Sequence, residues 1–294
     1  MLMRIGCTIG DFGGHATADD LKHQARAARD AGFTTIWAAQ ALGWDALTAI
    51  TFAGSVVPEM SLGTAVVPTP QRHPLVLASQ ALSAQAVTGN RLTLGVGAGV
   101  AAVLGERFGL PVDRPVGRMR EYLSVLRPLL RGESVAHQGE TLTAVGEVNV
   151  PGAQPPQVLL AALEPPMLRL AAEQADGVMT WMAGPRTLSA AIVPLVPAGH
   201  RVVAGLPVCV TTDEAGVRAR IGAQFAMTMH VPEYRKILER ENAKGAQDLA
   251  IVGDEASVAR QLRRFAQAGV TDFMAAPFGN PAEQDRTVAA LAFR

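Results

Sequence analysis

The chain carries little charge, few aromatic residues and almost no cysteine. Charged residues make up 18% of its 294 positions and aromatic residues 5%, and the 26 Lys plus Arg equal the 26 Asp plus Glu. No basic run suited to a phosphate backbone occurs, which argues against nucleic acid as a partner. Hydrophobic residues, at 49%, are by contrast abundant enough to fill a large core. The composition therefore predicts a compact globular protein.

Paired cysteines, clustered histidines and long apolar runs are also missing. Cys7 and Cys209 lie far apart within apolar runs, so both are predicted to be buried, reduced thiols. The six histidines lack metal-ligand spacing, which predicts no metal site. No apolar run approaches the roughly 20 residues of a membrane span, and the first residues do not resemble a signal peptide. We expect a cytoplasmic protein without a membrane partner.

Short apolar runs alternate with helical segments along the chain. Eight runs have the continuous apolar character of parallel strands buried on both faces, at residues 4–8, 33–38, 61–67, 91–97, 157–162, 177–181, 202–210 and 270–276. Thr17 with Asp20 predicts a capping box at the first helix, and Gly32 its end. His73, before Pro74, is predicted to be a polar helix cap. The repeat predicts one domain over residues 1–294, either a closed barrel or an open doubly wound sheet.

Two stretches are longer than a plain strand-helix unit. Residues 100–156 contain a predicted helix at about 117–131 and then a turn-rich, hairpin-like run, HQGETLTAVGEVNVPG. Residues 211–251 contain one or two predicted amphipathic helices around 225–239. Both insertions follow the carboxyl end of a strand, where barrel enzymes place their active sites and lids.

Three glycines lie at the end of the fourth strand, in LTLGVGAGVAA. The spacing of Gly97, Gly99 and Ala102 loosely matches a dinucleotide fingerprint, but the following ERFGLPVDRPVG is too broken for the helix and strand that such a unit needs. The favoured interpretation is that small residues allow a flat ring or a phosphate to lie on the backbone. Close packing at a barrel corner is the alternative.

The ends of the second, third and fifth strands carry further candidate groups. In WAAQALGWDA, Gln40 offers a donor and an acceptor to a heterocycle, and Trp44 offers a stacking surface. In LGTAVVPTPQRHP, small and β-branched residues at Thr64, Ala65 and Val66 are suited to support an apolar ring face, although an ordinary strand end turned by prolines is an equal alternative.

A tight turn follows the fifth strand in LLAALEPPML. The backbone amides of Ala162, Leu163 and Glu164 are predicted to be free to receive an anion such as a cofactor phosphate. The alternative is that Glu164 serves only the dipole of the following helix.

Three segments together resemble the luciferase-like monooxygenase superfamily, and within it the coenzyme F420-dependent branch. Residues 73–99, HPLVLASQALSAQAVTGNRLTLGVGAG, are similar to its most distinctive stretch. Residues 109–130 with the His-Gln-Gly-Glu at 137–140 are similar to its usual continuation, and residues 158–178 to its later strand, phosphate turn and helix. The resemblance covers most of the chain and implies a (β/α)8 TIM barrel with insertions after strands 4 and 7.

The resemblance also implies a site. In relatives that use F420, a non-proline cis peptide bond bulges the third strand against the ring, and the matching bond here is Ala65–Val66. Gln40 falls where many relatives have a ring-contacting His, and Trp44 matches a Trp of some relatives. Gln40 and Trp44 are therefore the predicted catalytic residues. The predicted cofactor contacts are Gln40, Thr64, Ala65, Val66, Thr69, Gly97, Ala98, Gly99, Ala162, Leu163 and Glu164.

The leading hypothesis is hydride transfer between coenzyme F420 and a small organic substrate. The alternatives are an FMN-dependent monooxygenase on the same fold and a non-catalytic protein that binds a flavin or deazaflavin. Sugar-phosphate dehydrogenases of this branch have an acidic residue where this chain has Val100, which argues against that activity. His15, Glu106 and Asp113 are the proton-donor candidates.

The family leads us to expect a homodimer, and the scarcity of lysine suggests an actinobacterial source.

Overall fold

Eight parallel strands, each hydrogen-bonded to the next, close into a barrel. The structure is a computed structural model that describes residues 3–11, 14–40, 43–226 and 231–292. Its strands are β1 (Arg4–Ile9), β2 (Thr35–Ala38), β3 (Ser61–Thr64), β4 (Val67–Pro68), β5 (Leu92–Gly97), β6 (Val135–Gln138), β7 (Thr143–Gly146), β8 (Gln157–Ala161), β9 (Gly177–Trp181), β10 (Arg201–Val210), β11 (Ile251–Gly253) and β12 (Asp272–Pro277). The barrel order is β1, β2, β3, β5, β8, β9, β10 and β12, and β12 pairs with β1. This closure confirms the predicted (β/α)8 barrel and rules out the open sheet.

Helices follow the strands and cover the barrel. They are α1 (Ala18–Asp30), α2 (Ala46–Gly54), α3 (Pro74–Val87), α4 (Ala101–Phe108), α5 (Pro115–Leu130), α6 (Pro165–Gln174), α7 (Pro185–Thr187), α8 (Glu214–Gln224), α9 (Pro232–Glu241), α10 (Ala246–Leu249), α11 (Glu255–Gln267) and α12 (Pro281–Leu291). Among the described residues, every helix is too short or too polar to cross a bilayer.

Local sequence signals explain where the helices begin and end. In α1 the amide of Asp20 donates to the Thr17 hydroxyl at 3.2 Å and the amide of Thr17 donates to the Asp20 carboxylate at 2.8 Å, which confirms the capping box. Gly32 follows with φ +81°, a conformation that few other residues adopt. The imidazole of His73 accepts from the amide of Leu75 at 3.3 Å and so caps α3 as predicted.

The eight predicted strands are all present, and most of their residues are buried. All six residues of β5 are buried, and so are nine of the ten residues of β10. Cys7 and Cys209 are buried and unpaired within β1 and β10, as predicted. The third predicted strand is interrupted: β3 ends at Thr64, and pairing resumes at Val67 in β4.

Large side chains fill the interior of the barrel. Trp37, Leu159, Met179, Val203 and Met274 form a buried cluster there, and Ala65, Val66 and Trp181 pack against it. Trp37 occupies the space that a side chain on the neighbouring glycine of β3 would need. The barrel is therefore a packed core and not a channel.

A charged network closes the barrel at the amino ends of its strands. Asp272 is 3% exposed, and Arg201 donates to its carboxylate at 2.9 Å. Arg4 donates to the same carboxylate at 3.0 Å. The Nη1 nitrogen of Arg201 donates to Thr93 at 3.0 Å and to Gln157 at 3.1 Å. One cation thus joins β10 to β12, β5 and β8.

Both predicted insertions are present, with two corrections. The hairpin-like run pairs as β6 and β7, outside the barrel. β11 was not predicted, because a three-residue strand has no periodicity to detect; it is held by the end of β10, where Val208 to Val210 extend past the barrel. Of the one or two helices predicted around residues 225–239, α9 is present from Pro232, whereas α8 lies before this range and ends at Gln224. Residues 227–230 lie outside the described ranges.

Candidate functional site

Four predicted positions meet at the carboxyl ends of neighbouring strands. Gln40 lies two residues after β2, Ala65 directly after β3, Gly97 at the end of β5 and Ala162 directly after β8. A Cβ atom on Gly97 would lie 2.9 Å from a methyl group of Val66. It would also lie 3.1 Å from the Cβ of Ala161. Three strand ends are thus in direct contact at the face of the barrel where the strands end, and we call the region formed by Gln40, Ala65, Gly97 and Ala162 the barrel mouth.

The interruption of the third strand gives the mouth its apolar side. The Ala65–Val66 peptide bond is cis, at the position that the resemblance implied. The hydroxyl of Thr64 replaces the missing ladder bonds, because it donates to the carbonyl of Gly95 and accepts from the amide of Gly95, both at 2.9 Å. The hydroxyl of Thr69 donates to the carbonyl of Gly97 at 3.3 Å. Both threonines therefore use their hydroxyls to join β3 and its following turn to β5.

The loop after β5 differs from the sequence expectation. Gly99 has φ +75° and is followed at once by α4, although the sequence argument judged this segment too broken for a helix. The reason is that α4 is only eight residues long and ends at Gly109, which has φ +61°, so the turn-forming residues lie beyond it. The dinucleotide interpretation still fails, since the next strands form the separate hairpin β6–β7.

The turn after β8 offers two free amides and not three. The amide of Ala162 donates to the carbonyl of Met179 at 3.1 Å, so this part of the prediction was wrong. Among the described residues, no acceptor is recorded for the amides of Leu163 and Glu164, and the two residues that follow are prolines without an N–H group. This turn retains the capacity to bind an anion, through two donors.

The carboxylate of Glu164 does not form a side-chain cap on α6. It accepts instead from Lys236 of α9 at 2.6 Å, and Arg240 of α9 lies 3.9 Å from its other oxygen. That second oxygen is buried without a hydrogen-bond partner among the described residues. Glu164 therefore connects the turn after β8 to the insertion that follows β10.

The side chains of Gln40 and Trp44 are both held by hydrogen bonds to neighbouring segments. The Gln40 side-chain oxygen accepts from the amide of Ala46 at 3.0 Å and from Arg72 at 3.3 Å. The indole N–H of Trp44 donates to the carbonyl of Ala16 at 2.8 Å, which ties the loop after β2 to the loop after β1. Both side chains are partly buried, so they have fixed positions and retain some access to solvent.

Sequence reasoning missed two features of the mouth. One is an aromatic wall: the rings of Trp181 and Phe225 lie 5.9 Å apart, and those of Phe225 and Phe278 lie 6.4 Å apart. The other is Arg72, whose side chain is only 14% exposed and forms an ion pair with Asp45. The sequence contained a signal for Arg72, since it is the only Lys or Arg between residues 30 and 90.

The three proton-donor candidates gain no support from their positions. His15, Glu106 and Asp113 are all exposed. The hydrogen bond from Arg118 holds the pKa of Asp113 below its usual range, so this carboxyl is ionised at neutral pH. Val100 is the N-cap of α4 and provides no acidic group.

Two clefts elsewhere on the molecule, of about 250 and 240 Å³, contain none of the predicted site residues. The first lies between the start of α7, the end of α9 and α11, and the second lies beside the amino end of β8. Within the described part of the chain, no three His, Cys, Asp or Glu side chains are grouped to hold a metal ion.

Comparison with known proteins agrees with this geometry. A model of the luciferase-like monooxygenase family matches residues 3–272. A Mycobacterium tuberculosis protein, named by inference as a coenzyme F420-dependent oxidoreductase, is 28% identical over 98% of this chain and 99% of its own length.

Two solved structures illustrate the similarity of fold. An F420-dependent secondary alcohol dehydrogenase, in complex with an F420-acetone adduct, superposes with a TM-score of 0.83 at 18% identity and covers 100% of both chains. The oxygenating component of 3,6-diketocamphane monooxygenase from Pseudomonas putida, in complex with FMN, has a TM-score of 0.76 at 14% identity, covering 100% of this chain and 98% of that one. At such identities the likeness establishes the barrel alone.

Proposed function

Because the chain belongs to the luciferase-like monooxygenase family, we propose that it is an oxidoreductase that transfers a hydride between coenzyme F420 and a small organic substrate. The whole-length likeness to the mycobacterial protein supports the choice of F420. The observation that carries the proposal is the interruption between β3 and β4, which leaves the small apolar residues Ala65 and Val66 partly exposed at the mouth, packed against the interior cluster.

The residues of the mouth fit a flat tricyclic ring with an anionic tail. Ala65 and Val66 present an apolar surface backed by the interior cluster. Gly97 allows the side chains of Val66 and Ala161 to pack directly on the backbone of β5, which fixes the position of this surface. The amides of Leu163 and Glu164 are donors for a phosphate. A guanidinium nitrogen of Arg72 is buried without a partner among the described residues, and it marks an unused donor beside the mouth.

When bound, a deazaflavin supplies two electrons together with a proton as hydride. The chain's own task is then to orient and to exclude water. Ala65, Val66 and Gly97 would position the ring, and Gln40 would donate a hydrogen bond at its edge or to the substrate. The aromatic wall would limit the access of water. Such a site needs few titratable groups, which agrees with the exposed positions of the candidate acids.

Titration of the purified protein with F420 and with FMN tests the proposal. We expect F420 to bind with a dissociation constant at least about tenfold lower than that of FMN, a difference of about 1.4 kcal/mol. The absorbance and fluorescence of each ring report its binding. The absence of F420 binding would contradict the proposal.

An FMN-dependent monooxygenase is the second candidate, because the diketocamphane monooxygenase component shares the barrel and binds FMN. Preferential FMN binding, with oxygen consumption when a reductase is added, would favour it. A protein that binds F420 tightly but oxidises its reduced form with none of a panel of enones, imines and quinones would instead be a non-catalytic carrier.

We also propose that the protein is a homodimer that associates through α3. This helix has no Asp, Glu, Lys or Arg, whereas α1, of similar length, has six. Val76 and Val87 of α3 are 50% and 71% exposed. An exposed helix face without charge is typical of a protein interface.

Charges on this face are expected to separate the subunits. The double variant Val76→Glu with Val87→Glu, whose like charges repel across a two-fold contact, should shift the mass measured by light scattering from twice the 30.8 kDa of the chain to that of one chain. Val112→Lys, at an exposed valine 44% accessible in the loop after α4, is the control and should leave the mass unchanged. A wild-type protein that is monomeric at micromolar concentration would refute the dimer.

A further inference from the structure

The orientation of the Gln40 amide is fixed by its partners. Its oxygen accepts from the backbone amide of Ala46 and from the guanidinium of Arg72. Both partners can only donate, so the oxygen and not the nitrogen must face them. The two N–H groups of Gln40 have no acceptor recorded among the described residues, and they are left for a ligand.

Arg72 is itself held firmly. It forms an ion pair with Asp45, the residue that caps α2 through the amide of Thr48. Its backbone carbonyl accepts from the hydroxyl of Tyr122 at 3.0 Å, and Tyr122 is buried in the packing of α5. Both the backbone and the side chain of Arg72 are therefore fixed beside Gln40.

Arg72 does not have the bonding of an arginine that serves the fold alone. Arg91, which does, uses all three guanidinium nitrogens on the carbonyls of Gly54, Val57, Met60 and Thr88. Arg72 leaves one nitrogen buried and unpaired among the described residues. Buried donors without partners are rare in folded proteins, and they concentrate where a site has another purpose.

We propose that Arg72 is a positioning residue that holds Gln40 as an obligate hydrogen-bond donor to a carbonyl or oxyanion oxygen at the barrel mouth. This inference rests on the proposed function, which it deepens by naming the ligand chemistry. The positive charge next to the amide oxygen polarises the amide and strengthens its N–H groups as donors. The oxygen belongs either to the bound ring or to a carbonyl substrate.

Gln40→Glu separates the donor role from a structural role. A carboxylate accepts from Ala46 and Arg72 at least as well as the amide oxygen does, so the unfolding midpoint in urea should stay the same or rise. The carboxylate has no N–H group, so either the dissociation constant for F420 or the KM for carbonyl substrates should rise about tenfold at pH 8. A purely structural Gln40 would leave both constants unchanged.

Arg72→Met and Gln40→Met, alone and combined, test whether the two residues act together. If Arg72 acts through Gln40, the double variant should bind F420 no more weakly than the weaker single variant. Arg72→Lys should recover part of the affinity, since it retains a donor and a charge. Arg91→Lys is the matched control: it should lower the unfolding midpoint and leave the dissociation constant unchanged.

The outcomes identify the source of the oxygen. A weaker affinity of Gln40→Glu for F420 assigns the oxygen to the ring. An unchanged affinity with at least a tenfold higher KM across ketones and enones assigns it to the substrate. The inference would be overturned if Gln40→Glu changed neither the dissociation constant for F420 nor the KM. It would also be overturned if the affinity losses of Arg72→Met and Gln40→Met added up in the double variant. Binding to the wild-type protein is measured first. If FMN binds and F420 does not, the proposed function fails, and the same variants are compared with FMN. If neither cofactor binds, both the proposed function and this inference fail.

Discussion

Asp272→Asn is expected to lower the free energy of unfolding by about 3–5 kcal/mol. The substitution leaves Arg201 and Arg4 without their shared carboxylate, and Arg201 lies under the barrel with its guanidinium 5.8 Å from the ring of Trp37. An uncompensated cation in that position is costly, because the side chain of Arg201 is only 14% exposed and pairs with Asp272. Urea denaturation followed by circular dichroism measures the loss.

Glu133→Gln is the control for Asp272→Asn. Glu133 also pairs with an arginine, Arg131, but both side chains are about half exposed, so the expected loss is much smaller than that of Asp272→Asn. Equal losses for the two variants would show that the buried network contributes no more than a surface pair.

The same network predicts a dependence of stability on acid. Burial raises the pKa of Asp272, but the bonds from Arg201, Thr271 and Arg4 outweigh it and hold the pKa below its usual range. A carboxyl whose pKa is lowered by folding stabilises the protein above its unfolded pKa, near 3.9, and this stability is lost as the pH falls through the lower folded value. Protonation of Asp272 lowers the free energy of unfolding below about pH 4. Asp272→Asn lacks this group, so its free energy of unfolding should fall less steeply in that range.

Gly97→Val is expected to weaken the binding of F420 about tenfold to a hundredfold. Its Cβ alone would stand 2.9 Å from Val66 and 3.1 Å from Ala161, so either the bulge after β3 or the end of β8 must shift. A shift of Val66 would move the apolar surface that supports the proposed ring. Fluorescence titration gives the affinity, and Gly97→Ala should give a smaller loss in the same direction.

Gly105→Ala is the matched control for this position. Gly105 lies in α4, a short distance along the chain, and an added Cβ would meet only a methyl group of Val112 at 3.8 Å, an ordinary contact. Replacing glycine inside a helix should raise stability by about 0.5–1 kcal/mol, and F420 affinity should not change. An undiminished affinity in Gly97→Val would exclude Gly97 from the ring site.

Much of the fold could be predicted because its signals are local. Strands such as β5 and β9 are short runs buried on both faces, and helix ends such as Thr17 and Gly32 are set by side-chain caps and φ angles. Closure of the barrel could not be obtained in this way, because spacing does not distinguish a ring from an open sheet. The resemblance supplied it, and the pairing of β12 with β1 confirms it.

The site was predicted less completely, because partners in space decide what each group can do. The amide of Ala162 donates to a carbonyl of β9, and the carboxylate of Glu164 accepts from a lysine of α9. Both hydrogen bonds join residues that are far apart in the chain. Arg72 was overlooked for the same reason, since its importance lies in its bonds to Gln40 and Asp45.

The filling of the barrel by Trp37, with Arg201 beneath it, has a kinetic consequence. A ligand seated deep at the carboxyl ends of the strands has no exit through the opposite end, so it enters and leaves by the route that a second molecule must also use. Whatever binds deepest must arrive first and depart last. Among the described residues the amino end of the barrel is closed, so we expect ordered addition and release in a reaction with two partners at the carboxyl ends.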